Sequence, residues 1–249
     1  MLQYITLAAA AFFAGILNTV AGGGTFLTFP ALVYTGLPAV AANATSAVAV
    51  FPGYLGGAVG FRSELAKFDR RKLWKIVALT ALGGLIGSLL LLVSSNQAFS
   101  VAVPFLLAFA TLAFAFGEKI QAWIKNRRAE REEGFVGIFL VSVYGGYFNG
   151  GLVIVILALF SLWGMREMNA MNGLKSGLSF VLSAISVATF ALAGLVAWPQ
   201  ALVMMVAATL GGYAGAPIAR ALPRSLVRAI VIAVGAIMSV IFFARLRYR

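Results

Sequence analysis

The sequence predicts an all-α, polytopic membrane protein made of inverted repeats. Each repeat holds a glycine-broken hairpin, re-entrant or half-spanning, and three transmembrane helices. Three observations predict this. Of 249 residues, 62% are hydrophobic and 10% are charged, where a soluble domain carries about 25% charge. Mean hydropathy is +0.99. The apolar run from Leu2 is interrupted at Gly22-Gly23-Gly24, and Asn149-Gly150-Gly151 interrupts another run at the matching place in the second half. Paired breaks of this kind point to a transporter's central site, because glycine lets the backbone unwind inside the bilayer. A very apolar soluble core is the competing reading. Soluble helices of this length need a polar face, and these have none.

The apolar windows fall at 2–20, 25–35, 39–61, 73–94, 98–117, 134–148, 151–163, 168–194, 199–219 and 226–243. Six are long enough for a hydrocarbon core that needs about 20 residues. The pieces around the glycine breaks are mostly shorter, and a helix of about 15 residues reaches only about 22 Å. Segments 2–35 and 134–163 therefore read as hairpins with tips near mid-membrane, although 2–20 is long enough to span alone.

Residues 1–117 form the first repeat, 118–133 a cytoplasmic inter-repeat loop, and 134–249 the second, inverted repeat. The run from Gly117 to Gly134 mixes Lys and Arg with Glu, and a solvated helix extension without a function of its own accounts for it. The repeats are visible in the residues. Asn43-Ala44-Thr45-Ser46 aligns with Asn172-Gly173-Leu174-Lys175. Leu82-Gly83-Gly84 with Gly87 aligns with Leu210-Gly211-Gly212 with Gly215, all at a shift of 128 or 129 residues. Three crossings per repeat invert the second repeat relative to the first. The Gly83-Gly84-x-x-Gly87 pattern resembles a dinucleotide fingerprint only superficially. It lacks a βαβ context and reads as a small-residue helix contact.

Positive charge sets the orientation. Arg62, Lys67, Arg70, Arg71, Lys72 and Lys75 fill one loop. Lys119, Lys125, Arg127, Arg128 and Arg131 fill a second. Arg166 marks a third, and Arg220, Arg224 and Arg228 a fourth. The loops at 36–38, 94–98 and 195–198 contain no Lys or Arg. Six crossings and two hairpins place every basic loop in the cytoplasm. Arg245, Arg247 and Arg249 would emerge outside, which leaves the side of the C-terminus open. This topology explains most of the +12 net charge, so no nucleic-acid partner is expected. The start MLQYIT has no basic n-region and reads as part of the mature fold. The expected location is the plasma or bacterial inner membrane, crossed several times.

Cysteine and histidine are absent. Disulfides, thiolate or imidazole metal sites, haem ligation and Cys/His nucleophiles are excluded with them. The seven acidic residues all lie in loops, so paired-carboxylate catalysis has no groups inside the membrane. An enzyme, a cofactor and a metal are not expected.

Lys175 is the charged residue set deepest inside an expected span, since Lys75 and Arg228 lie within three residues of a window's start, and an intramembrane cation is a functional-site candidate. It lies seven residues into its helix from Met168, about 10 Å deep, so snorkelling is the bland alternative. Asn169, Asn172, Ser176, Ser179, Ser183 and Ser186 recur at spacings of three and four, a polar stripe with Lys175 at its edge. Such a stripe faces a cavity or packs another helix through its serines. In the first repeat the same spacing runs through Asn43, Ser46, Val50, Gly53, Gly57 and Gly60, mainly small residues suited to close packing. Half-helices starting near Thr25 and Leu152 would aim positive dipole ends at the midplane. Asn18, Thr25 and Asn149 add side-chain hydrogen bonds, and Tyr144 and Tyr147 add hydroxyls. One lysine, two helix N-termini and several amides describe an anion site. Close helix crossing is the alternative reading of the glycines alone.

These residues resemble the TauE/SafE family, also called the sulfite exporter or toluene-sulfonate uptake family. The resemblance rests on Asn18 with Ala21-Gly22-Gly23-Gly24-Thr25-Phe26, Pro30, Leu32, Gly36 and Ala42-Asn43-Ala44-Thr45-Ser46. In the second half it rests on Gly145, Gly146, Asn149, Gly150, Gly151 and the pair Asn172 and Lys175. It covers nearly the whole chain, with the first-half pattern the more specific. Asn149 stands where the pattern has a small residue, which makes that tip more polar. The resemblance implies a permease for sulfur-containing anions such as sulfite, sulfoacetate, taurine-derived sulfonates or thiosulfate.

The expected function is alternating-access export of a small anion, in a uniport-like manner, since no Asp, Glu or His lies in a span to carry protons. Lys175 would be the charge partner. Amides near Gly22–Thr25 and Gly150–Leu152 would be oxyanion donors. Asn43, Thr45, Ser46, Asn172 and Ser176 would line the cavity. The partners are the small anionic substrate and the lipid bilayer. A homo-oligomer stays open, because apolar protomer interfaces look like lipid-facing surfaces. An anion channel and a non-transporting scaffold subunit are the rival classes.

Overall fold

Without water, each backbone N–H and C=O must be satisfied within its own segment, so apolar runs lacking a polar face become helices. The computed structural model describes residues 1–21, 23–60, 65–66, 68–126, 134–165, 167–221 and 224–247. Among them it is all-helical. The order is α1 (Leu2–Ala21), α2 (Thr25–Tyr34), α3 (Ala39–Gly60), α4 (Arg70–Val93), α5 (Asn96–Asn126), α6 (Phe135–Tyr147), α7 (Leu152–Leu162), α8 (Met168–Leu192), α9 (Trp198–Ala221) and α10 (Arg224–Arg247).

Length separates these helices into two kinds. Helices α2, α6 and α7 have 10, 13 and 11 residues, at most about 20 Å, which is too short for a core of about 30 Å. Among the described residues, Arg70–Val93, Asn96–Ala113 and Ala170–Leu192 are long and apolar enough to cross a membrane. Helices α3, α9 and α10, at 22, 24 and 24 residues, reach about 33–36 Å. The outward faces of α4 and α5 fit lipid: Leu82, Leu85, Leu89 and Leu90 of α4 and Phe105, Phe109 and Leu112 of α5 are all exposed.

Several boundaries differ from the apolar windows, and two of them have a local cause or consequence. Helix α4 starts at Arg70 because the Asp69 carboxylate accepts a hydrogen bond from the Lys72 amide at 2.8 Å, an N-cap. Helix α5 runs on to Asn126, so residues 118–126 of the expected inter-repeat loop are a helix extension. Residues 127–133 lie outside the described residues.

Glycine decides which helices touch. Helix α1 lies along α9, and α6 lies along α4. A side chain on Gly211 would strike the Phe12 carbonyl, and one on Gly15 the Ala208 carbonyl. On the other pair, Gly87 faces the Val143 carbonyl and Gly146 the Gly84 carbonyl with no room for a Cβ. The glycine motif and its twin are therefore backbone-to-backbone seams. Helix α8 packs on α3 and α4, α3 on α9, and α10 on α5. Exchanging the halves maps these contacts onto one another: α1–α9 onto α6–α4, α3–α9 onto α8–α4, α2–α10 onto α7–α5. Phe51 and Phe180 hold equivalent places in α3 and α8. Their rings stack at 5.5 Å with 16° between planes.

Candidate functional site at the two helix breaks

Helices α2 and α7 begin at Thr25 and Leu152, as the glycine breaks require, so both helix N-termini open at the breaks. The first break turns back on α1. A side chain on Gly24 would stand 2.7 Å from the Ala14 carbonyl oxygen and 3.2 Å from Asn18 Cβ. Gly23, Gly24 and Thr25 are buried; Gly22 lies outside the described residues. The second break turns at Gly151, whose φ of 72° is left-handed and suits only glycine well. A Cβ there would also meet Ala110 Cβ of α5 at 2.7 Å.

The breaks converge on one turn of α3. At Gly53, an added methyl would sit 3.3 Å from Asn18 Nδ2, at the end of α1. At the next residue, Tyr54 donates its hydroxyl to Asn149 Oδ1 at 3.4 Å. Higher on α3, Asn43 Nδ2 donates to the Tyr147 carbonyl at 3.0 Å, holding the C-terminal end of α6. The Tyr144 hydroxyl donates to the Gly150 carbonyl and closes the second break from the other side. Phe148, between α6 and α7, anchors the break in an aromatic cluster, with Phe29 of α2 edge-on at 5.8 Å.

The expected cavity residues on α3 take structural partners. Thr28 and Ser46 share a hydroxyl hydrogen bond of 2.7 Å. Thr45 Oγ1 accepts from the Ala197 amide at 3.0 Å, tying α3 to the entry of α9. The amides expected as oxyanion donors are partly engaged. The Phe26 amide donates to the Gly23 carbonyl at 3.1 Å, and the Leu152 amide to the Asn149 carbonyl at 3.4 Å. On α8, half-buried Lys175 donates to Asn172 Oδ1 at 3.2 Å, and Ser176 is buried one position on.

The structure thus gathers Asn18, Asn149, Asn43 and the breaks around α3, and separately pairs Lys175 with Asn172. Sequence reasoning does not single out Tyr54. Its signal is a lone tyrosine beside Gly53 in an otherwise small-residue stripe. A cavity of about 270 Å³ between α1, α2 and α10 is lined by Leu27, Pro30, Val33, Met238 and Phe242. Its wall is mainly apolar, with Tyr34 its hydroxyl-bearing residue.

A lipid-facing helical bundle with two helix breaks meeting on a central helix defines a helical membrane protein of the transporter class. The family model described as sulfite exporter TauE/SafE matches residues 7–242, and the chain belongs to that family. A Haemophilus influenzae protein named "Probable membrane transporter protein" is 29% identical over 241 residues, covering 95% of this chain and 91% of the relative. The Escherichia coli K12 protein named "Probable membrane transporter protein YfcA" is 27% identical over 236 residues, covering 92% and 85%. A Sinorhizobium relative, "Probable membrane transporter protein ORF9", is 25% identical over 242 residues, covering 93% and 88%. No solved structure matches the chain. The protein is a membrane transporter of the TauE/SafE family.

Proposed function

We propose that this transporter exports small sulfur oxyanions, sulfite or organosulfonates such as sulfoacetate, by alternating access between two inverted repeats in the plasma or bacterial inner membrane. The observation that carries the reading is the meeting of both breaks at Gly53 and Tyr54, through Asn18 and Asn149. Two helix N-termini open there, and their dipole ends favour an anion. The name of the family supports the sulfur oxyanion, and the exchange of equivalent contacts between the halves supports the repeats. Lys175 supplies the charge, with Asn172 as its neighbour. An interior-negative potential favours anion exit by about 2.3 kcal/mol per charge per 100 mV. With no acidic residue in a span, uniport-like efflux is the simplest coupling.

Thermal stabilisation of the detergent-purified protein by sulfite, sulfonates, sulfate, carboxylates and phosphate tests this, with Lys175→Ala alongside. Selective stabilisation by one sulfur oxyanion, lost in Lys175→Ala, is the expected result. Stabilisation by carboxylates alone, or equal stabilisation of the variant, removes the substrate and the role of Lys175. In proteoliposomes, single-channel currents would make the protein a channel, and no flux of any anion would make it a scaffold.

A further inference from the structure

Several serine and threonine side chains inside this bundle share one habit. Ser88, Thr111, Ser142, Thr189 and Ser239 each donate to the carbonyl four residues back, at 2.7–2.9 Å. A hydroxyl that folds back in this way is satisfied by its own helix and packs as a small residue. Ser179, Ser183 and Ser186 of α8 depart from the habit. They are 0%, 0% and 3% exposed. Their Oγ atoms have no hydrogen-bond partner within the protein. Spacings of four and three put them on one face, about 10 Å from end to end. Phe180, stacked on Phe51, and Leu182, against Gly84 of α4, flank that face. One further buried hydroxyl among the described residues lacks a protein partner, Thr80 on α4, one turn before Gly84. Unpaired buried hydroxyls on two packed helices are unfavourable unless something other than the fold pairs with them.

We propose that Ser179, Ser183 and Ser186 form a hydroxyl track that hydrogen-bonds the oxygens of the transported oxyanion as it moves along α8 from Asn172 and Lys175. This rests on the oxyanion reading above. The same helix face carries a lysine and no carboxylate, so it suits an anion that accepts hydrogen bonds. A cation would meet repulsion from Lys175 without a compensating acidic ligand.

The chain contains no cysteine, so single cysteines report without background. Ser179→Cys, Ser183→Cys and Ser186→Cys, with Leu178→Cys as a control in the apolar core, are exposed in proteoliposomes to an anionic sulfonate-bearing methanethiosulfonate and to its cationic ammonium analogue. The expected result is modification of the three serine positions, by the anionic reagent about tenfold faster than by the cationic one after correction for free-thiol reactivity, as a cationic path enriches anions. Sulfoacetate, a sulfonate that does not attack the reagent, should slow it, and Leu178→Cys should stay unmodified. Rates no higher than at Leu178→Cys, or a preference for the cationic reagent, overturn the track. The triple variant Ser179→Ala, Ser183→Ala, Ser186→Ala keeps volume and removes every hydroxyl. It should retain wild-type Tm and lose sulfite flux about tenfold or more; unchanged flux overturns the track and leaves the oxyanion reading standing. If the wild type moves no sulfite or sulfonate while anion-selective labelling persists, the substrate reading falls and the track stands.

Discussion

Tyr54 donates its hydroxyl to Asn149 Oδ1 across a sequence separation of 95 residues. The bond joins the central helix of the first half to the break of the second. The neighbouring Gly53 lies beside Asn18, in the last turn of α1 just before the first break. One turn of α3 therefore lies beside one residue from each hairpin.

Tyr54→Phe removes the donor and leaves the buried Asn149 oxygen unpaired. A loss of about 1 kcal/mol is expected. In a thermal-unfolding double-mutant cycle with Asn149→Ala, the pair should show a coupling of about 0.5 kcal/mol or more. Strict additivity would mean that the bond contributes nothing.

Asn43 is nearly buried and donates to the Tyr147 carbonyl. Asn43→Asp places an acceptor, charged at neutral pH, against that carbonyl, and should destabilise more than Asn43→Ala. The sign with pH follows from the chemistry: a protonated carboxyl regains an O–H donor, so the deficit of Asn43→Asp should shrink as pH falls. Melting curves of both variants at neutral and acid pH check this, and a pH-independent deficit in Asn43→Asp would contradict it.

Asn172 lies 3.2 Å from the Lys175 ammonium. Asn172→Asp would pair that charge within α8 and take it from the substrate. Anion-induced stabilisation should weaken at least about tenfold in concentration, with the fold intact. Lys175→Arg, which keeps the charge, should retain part of it. Ligand titrations followed by Tm separate these outcomes, and full retention in Asn172→Asp would remove Lys175 from the site.

The glycine seams should be intolerant. Gly211→Val or Gly87→Val drives a side chain into a facing carbonyl, and a loss of about 3 kcal/mol or outright misfolding is expected. Gly194→Ala is the contrast: nothing lies within 4 Å and φ is +69°, so only backbone strain of about 1–2 kcal/mol applies. Size-exclusion profiles and melting temperatures distinguish the two classes, and a Gly211→Val protein that melts like wild type would refute the seam.

Helix existence was legible in the chain because hydrophobic length and glycine interruption are local properties. Each apolar window became a helix, and the two breaks start α2 at Thr25 and α7 at Leu152. The Asp69 cap was less legible, because a polar capping side chain leaves little trace in hydropathy. The helix extension over 118–126 is the reading that the charged run itself offers. Asn18, Asn43, Thr45, Ser46 and Asn149 stood out by type and repeat alignment, and each has a place near a break or a helix entry.

Their partners could not be read in advance. The sequence by itself determined a helical, lipid-embedded chain with two matched breaks and one lysine deep in a span. Only the tertiary structure decided that both breaks meet at Gly53 and Tyr54, that Thr45 holds the entry of α9, and that the serines of α8 do not back-bond. The physical reason is range. Burial and backbone satisfaction act within a segment and leave a periodic trace in the chain. Which hydroxyl or amide pairs across segments depends on how closely glycine seams let whole helices approach.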